Sequence, residues 1–249
     1  MSEKKALKAR GSILLEILAV LLAVGLIFTL IYPKNLWDKE AENVDVCHEN
    51  MWHIYFAEIT YLDSKLVYND TLENVIGYIL SDSTEGRLRR YTSIDSILGM
   101  DIITSFRDVS DTVVVTVDSV FGEGPDSVIV LQKNIVIASL VDSMLSFANA
   151  EDLDTTEAFI LDSLRAWPEY SERIDSIALA TLNQIYNCPT TGKPYIIEAF
   201  NDTTPKLVNI FCPLDSTDKA AVKKDFKLNF LGGLRVDNHG GIESGEKTW

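Results

Sequence analysis

Residues 12–32, SILLEILAVLLAVGLIFTLIY, run for 21 positions with Glu16 as the only charged side chain. As a helix rising ~1.5 Å per residue they span ~31 Å, about the thickness of a bilayer's hydrocarbon core. A helix of this length on the edge of a soluble core shows a polar face, and this one shows none. The run is a membrane-spanning segment. Ahead of it, MSEKKALKAR carries Lys4, Lys5, Lys8 and Arg10 against Glu3. Such an excess of positive charge stays cytoplasmic, so the amino terminus is expected inside and the chain beyond Pro33 outside.

Two details separate this stretch from a cleaved secretory signal. The apolar run exceeds the ~7–15 residues of a signal peptide and ends in Tyr32-Pro33-Lys34, which offers no small-x-small cleavage site. The small residue, Gly11, stands at the basic border ahead of the run. Glu16 lies one turn inside the apolar helix, where a carboxylate is costly unless it has a partner. A cut after Gly11 would give Ser12 a new α-amino group four residues before Glu16, on the same helix face. That amine is a partner for Glu16 or for its copy in a neighbouring subunit.

These residues resemble the type IV pilins and the pseudopilins of type II secretion systems. Members carry a short basic leader ending in Gly, cleaved there by a prepilin peptidase. An apolar helix follows, with Glu as its fifth mature residue and often Pro as its twenty-second. Counted from Ser12, Glu16 is fifth and Pro33 twenty-second. Ser12 itself stands where the family usually has Phe or Met. The resemblance covers roughly residues 1–66 and implies an α+β, pilin-like fold. In that fold a long amino-terminal helix packs on a head that contains an antiparallel sheet and extra helices. The implied organisation is a leader (1–11), a membrane helix (12–33), its amphipathic continuation (34–66) and a periplasmic or extracellular head (67–249).

The function implied is that of a filament subunit, anchored in a bacterial inner membrane before assembly. Its partners would be the prepilin peptidase, the inner-membrane assembly platform and other subunits met through the same helix. Amino-terminal methylation would follow cleavage. With the leader gone the chain has 238 residues, more than most major subunits, which leans toward a minor or specialised one. The alternative is a single-pass, membrane-anchored periplasmic binding protein that never polymerises.

Charge narrows the partners. The net charge is −15, and loss of the leader's four bases and one acid brings it to −18. Phosphate contacts need Lys and Arg, so nucleic acid is not an expected partner. The sequence has no H-E-x-x-H, Walker A, G-x-S-x-G or C-x-x-C motif, and no enzymatic role is expected.

Beyond Pro33 the apolar positions Val44, Cys47, Met51 and Ile54 recur at helical spacing, widened by Trp52, Tyr55, Ile59 and Leu62. The proline should kink this helix without ending it. Cys47 falls on the apolar stripe and reads as a small buried hydrophobe, with intersubunit pairing as the alternative. His48 and His53 are five apart and face different directions, a poor metal pair. A short helix within 68–83 is expected to be capped by Asn69 or Asp70, and helices are expected over 155–166 and 169–186. Residues 84–111 are ambiguous. Residues 112–121 and 127–140 are rich in β-branched side chains and read as strands. The glycine-rich tail from Gly232 reads as mostly loop.

Two candidate sites remain. Glu151, Asp152, Asp154 and Glu157 offer hard oxygen donors for calcium, which some pseudopilins bind in a loop, but they read more readily as a helix amino terminus with solvated acids. Tyr195 to Phe200 and Leu207 to Phe211 predict an antiparallel hairpin with Cys188 and Cys212 at its open ends, each followed by Pro. A zinc knuckle would need a second Cys or His beside each, and none is there. The expectation is a Cys188–Cys212 disulfide, permitted on the oxidising exported side and worth roughly 3.5 kcal/mol for a loop of about 25 residues. No other metal site is expected.

Overall fold

The computed structural model describes residues 13–81, 86–108, 153–166 and 168–249. The strands expected within 112–140 lie outside these residues. The first helix, α1, runs from Ile13 to Lys65 and continues through Pro33. Among the described residues it is the one helix long and apolar enough to cross a membrane, and none of its most apolar window is buried. It stops where Leu66 turns into the left-handed region at φ 60°.

The chain divides into two compact units. The first comprises the amino-terminal part of α1, up to Asp45, and residues 214–238. Two elements of the second segment are well defined by their caps. Asp215 accepts the backbone N–H groups of Thr217 and Asp218 and starts α7 (Ser216–Lys224), and Asp218 returns the contact in a capping box. Asp225 caps a π-helical turn, Phe226–Leu231, in the same way. This turn lies against α1: a Cβ on the following Gly232 would run into the Leu36 side chain. An apolar groove of about 500 Å³ opens beside it, lined by Leu30, Pro33, Trp37, Phe230 and Leu231. Phe226 and Phe230 stack at 4.9 Å and remain largely exposed.

The second unit is built around residues 46–65 of α1. Cys47, Met51, Ile54 and Ala57 are fully buried, the three- and four-residue spacing that an apolar helix face requires. Helices α2 (Leu72–Leu80), α3 (Gly86–Ile94), α4 (Ser96–Asp108), α5 (Leu153–Arg165) and α6 (Pro168–Gln184) supply the rest of its helical core. Ile76, Ile79, Tyr91, Leu98, Ile102, Ile103, Ile174 and Leu182 are among the large side chains buried there.

The ambiguous stretch after residue 84 resolves into α3 and α4, parted by Asp95. Asp95 Oδ1 accepts the N–H of Leu98 as a helix cap, while Oδ2 stands 2.6 Å from His53 Nδ1 in a fully buried pair. The expected cap of α2 is displaced. Thr71 holds that position with no side-chain hydrogen bond, and Asn69 instead accepts the Thr71 N–H before the helix begins. Pro168 opens α6, where its missing N–H is not needed. The Arg165–Asp175 pair, at 2.8 Å and mostly buried, joins α5 to α6.

The expected hairpin is present as β1 (Ile196–Phe200) and β2 (Leu207–Phe211), antiparallel with Ile196 opposite Phe211. The tail is mostly without regular structure, as expected, but carries two short strands. It forms β3 (Gly241–Glu243) and β4 (Glu246–Lys247), giving an antiparallel sheet in the order β1-β2-β3-β4. A three-residue strand that begins at a glycine has no readable period, so its pairing with β2 decides it. Gly241 is required there, because a Cβ would meet the Ile210 carbonyl oxygen at 2.7 Å. The chain thus has a long amino-terminal apolar helix, a small antiparallel sheet and further helices, an α+β arrangement.

Candidate functional site

The residues singled out at the amino terminus are only partly described. Gly11 and Ser12 lie outside the described residues. Glu16 sits in the first turns of α1 and is exposed, and Pro33 lies inside the helix. Of the acidic group, Glu151 and Asp152 are outside the described residues, and Asp154 and Glu157 belong to the helical backbone of α5.

The chemistry gathers elsewhere, in the second unit. Cys47, Cys188, Cys212 and His239 are all buried, and their donor atoms lie within 4.8 Å of one another. Cys47 Sγ is 3.9 Å from Cys188 Sγ, and Cys188 Sγ is 3.9 Å from Cys212 Sγ. The hairpin brings Cys188 and Cys212 together, but the expected bond between them is not formed: none of the three cysteines is in a disulfide. The separation is nearly twice a disulfide's ~2.05 Å. The difference has a physical reason. Cys47 is as near to Cys188 as Cys212 is, so no one pair is set apart for bonding.

Four separate pieces of chain place the donors. Cys47 projects from the buried face of α1. Cys188 opens a tight turn, CPTTGKP, closed by Gly192 N–H to the Cys188 carbonyl at 2.8 Å and Cys188 N–H to the Lys193 carbonyl at 2.9 Å. The turn needs a left-handed residue, and Gly192 supplies it at φ 68°. Cys212 follows β2 directly and donates its N–H to the Gly240 carbonyl at 3.0 Å. His239 precedes β3, with its carbonyl accepting from His48 Nε2 at 2.8 Å. The His48 ring in turn stacks flat on Trp249 at 4.1 Å. His48 and His53 therefore go to different partners.

The thiols are electrostatically unequal. The Cys212 and Cys47 thiols beside it hold the Cys188 thiol well below its ordinary range, against the opposing effect of burial. His239 and the Thr191 backbone N–H push in the same direction. Cys47 is driven the other way, by its hydrogen bonds to Cys188 and Cys212 and by burial, while the Tyr195 hydroxyl pulls it back. Thiolate is the form that ligates metal.

Cys47 and His239 escaped sequence reasoning as ligands. Each is remote in sequence from the hairpin, and a neighbouring-pair rule finds neither. The available signals were the odd cysteine and the Cys-Pro-x-x-Gly turn at 188–192. No protein-family model, curated protein or solved structure matches this chain.

Proposed function

We propose that this chain is a structural subunit of a type IV pilus-like or type II secretion pseudopilus filament, cleaved after Gly11 by a prepilin peptidase and assembled through α1. The observation that carries the reading is the division of labour along one 53-residue helix. Its membrane-length part presents exposed apolar side chains, and its later turns form the core of a folded unit. An apolar surface of that extent needs lipid before assembly and neighbouring helices after it. Glu16, exposed on the same apolar rod, needs a counter-charge in either setting. A new amino terminus at Ser12 supplies one.

The test is processing. Full-length protein is produced in cells with and without an active prepilin peptidase, extracted from the membrane and measured intact by mass spectrometry. Loss of residues 1–11 with the peptidase present, and its prevention by Gly11→Val, is the expected result. An uncut terminus in the presence of the active peptidase overturns the proposal in favour of a permanent membrane anchor.

A further inference from the structure

We infer that Cys47, Cys188, Cys212 and His239 form a closed tetrahedral site for one structural Zn²⁺ ion. The inference stands whether or not the chain polymerises.

The geometry fits the ion. Zinc–thiolate bonds of ~2.3 Å in a tetrahedron hold their sulfurs ~3.8 Å apart. Both measured sulfur separations are 3.9 Å, and the fourth donor lies within 4.8 Å of all three. The donor set selects the metal class. Three soft thiolates and an imidazole favour zinc over calcium or magnesium, which take oxygen ligands. All four ligands come from protein and all are buried, leaving no position for water or substrate. Such a closed site is structural.

The surroundings complete the site. Three thiolates around Zn²⁺ carry one net negative charge, which burial makes costly unless donors face the sulfurs. Two donors do so. The Thr191 N–H faces Cys188, and the Tyr195 O–H faces Cys47. Tyr195 is itself oriented by the Asn50 side-chain amide, 3.3 Å from its oxygen. Outer partners of this kind fix ligand orientation in metal centres. Binding releases the thiol protons to solvent, and the ion takes their place.

The consequence is a crosslink. One ion ties the helix α1, the 188–193 turn, the end of β2 and the segment leading into β3. These four pieces span nearly the whole described length of the second unit, and no disulfide could join more than two of them. The odd third cysteine then has a role that pairing cannot give it.

The test uses the full-length chain, exported and purified in detergent. Elemental analysis after removal of loosely held metal should find about one zinc per chain. Protein stripped of metal and titrated with Co²⁺ should develop the absorption of tetrahedral cobalt with thiolate charge transfer. Cys47→Ser should reduce retained zinc at least tenfold, whereas His239→Cys, which keeps four suitable donors, should retain it. Metal-free parent protein with a disulfide recovered by non-reducing peptide mapping overturns the inference. So does iron in place of zinc, or undiminished zinc in Cys47→Ser. Should Cys47→Ser fail to fold, the zinc content and cobalt spectrum of the parent decide the matter.

Discussion

The side-chain amide of Asn50 donates to the hydroxyl oxygen of Tyr195 at 3.3 Å, joining residues 145 positions apart. The Tyr195 hydroxyl in turn favours the thiolate form of Cys47. Tyr195→Phe keeps the ring and removes only this donor. Zinc affinity should fall roughly 10–100-fold, the usual cost of losing an outer-shell partner, with the fold retained. Competition against a chromophoric chelator measures it. An unchanged affinity would show that Cys47 needs no support from Tyr195.

Glu58 should make the second unit's stability fall as pH rises. Its side chain is fully buried, and burial pushes the carboxyl up to about 8 from an ordinary 4.5. Oε2 accepts the Asn69 N–H, but Oε1 has no hydrogen-bond partner among the described residues. The unfolded chain ionises near 4.5 and the folded one near 8, so the native state holds the proton more tightly. Stability from this group is therefore greatest below 4.5, declines through the window between the two values and levels off above 8. Glu58→Gln should abolish that slope and stabilise the protein above the window by roughly 2–4 kcal/mol. Urea unfolding at a series of pH values is the measurement. A variant with the parent's slope would assign the effect to another group.

Asp95 holds two elements through one carboxylate. It caps α4 through Leu98 and pairs with His53 of α1, with no exposure to solvent. Removing one partner of a buried pair leaves the other uncompensated, at ~3–5 kcal/mol. Asp95→Ala should cost that much, and Asp95→Asn distinctly less because it can still cap. Equal losses in the two variants would mean that the cap contributes nothing beyond the pairing with His53.

Glu16→Ala should separate insertion from assembly. Removing a carboxylate from an apolar helix leaves insertion intact or improves it. If α1 assembles as proposed, incorporation into filaments should fall several-fold, because a neighbour's new amino terminus would lose its counter-charge. Membrane fractionation reports the first effect, and quantification of sheared filaments the second. Normal incorporation of the alanine variant would be falsifying for the pairing role of Glu16.

Periodicity carried the local structure, and it could do so because the forces that set it act between near neighbours in sequence. The apolar run of α1, its stripe through Cys47, Met51 and Ile54, and the hairpin of β1 and β2 were legible for that reason. The helical character of 153–165 and 168–184 was legible in the same way, with Pro168 marking the break. The short strands of the tail were not, since Gly241, Ile242 and Glu243 form a strand only because β2 offers them an edge. Nor was the metal-ligating set. Cys47 looked like one more apolar residue on its stripe, and His239 like a loop histidine. What placed both beside the Cys188 turn was the packing of α1 and the return of the tail against β2. The sequence by itself determined a membrane-length helix and the amphipathic turns beyond it, through hydrophobicity and spacing alone. Only the tertiary structure decided that three cysteines and a histidine share one buried point, because that juxtaposition depends on long-range packing, which leaves no period to read.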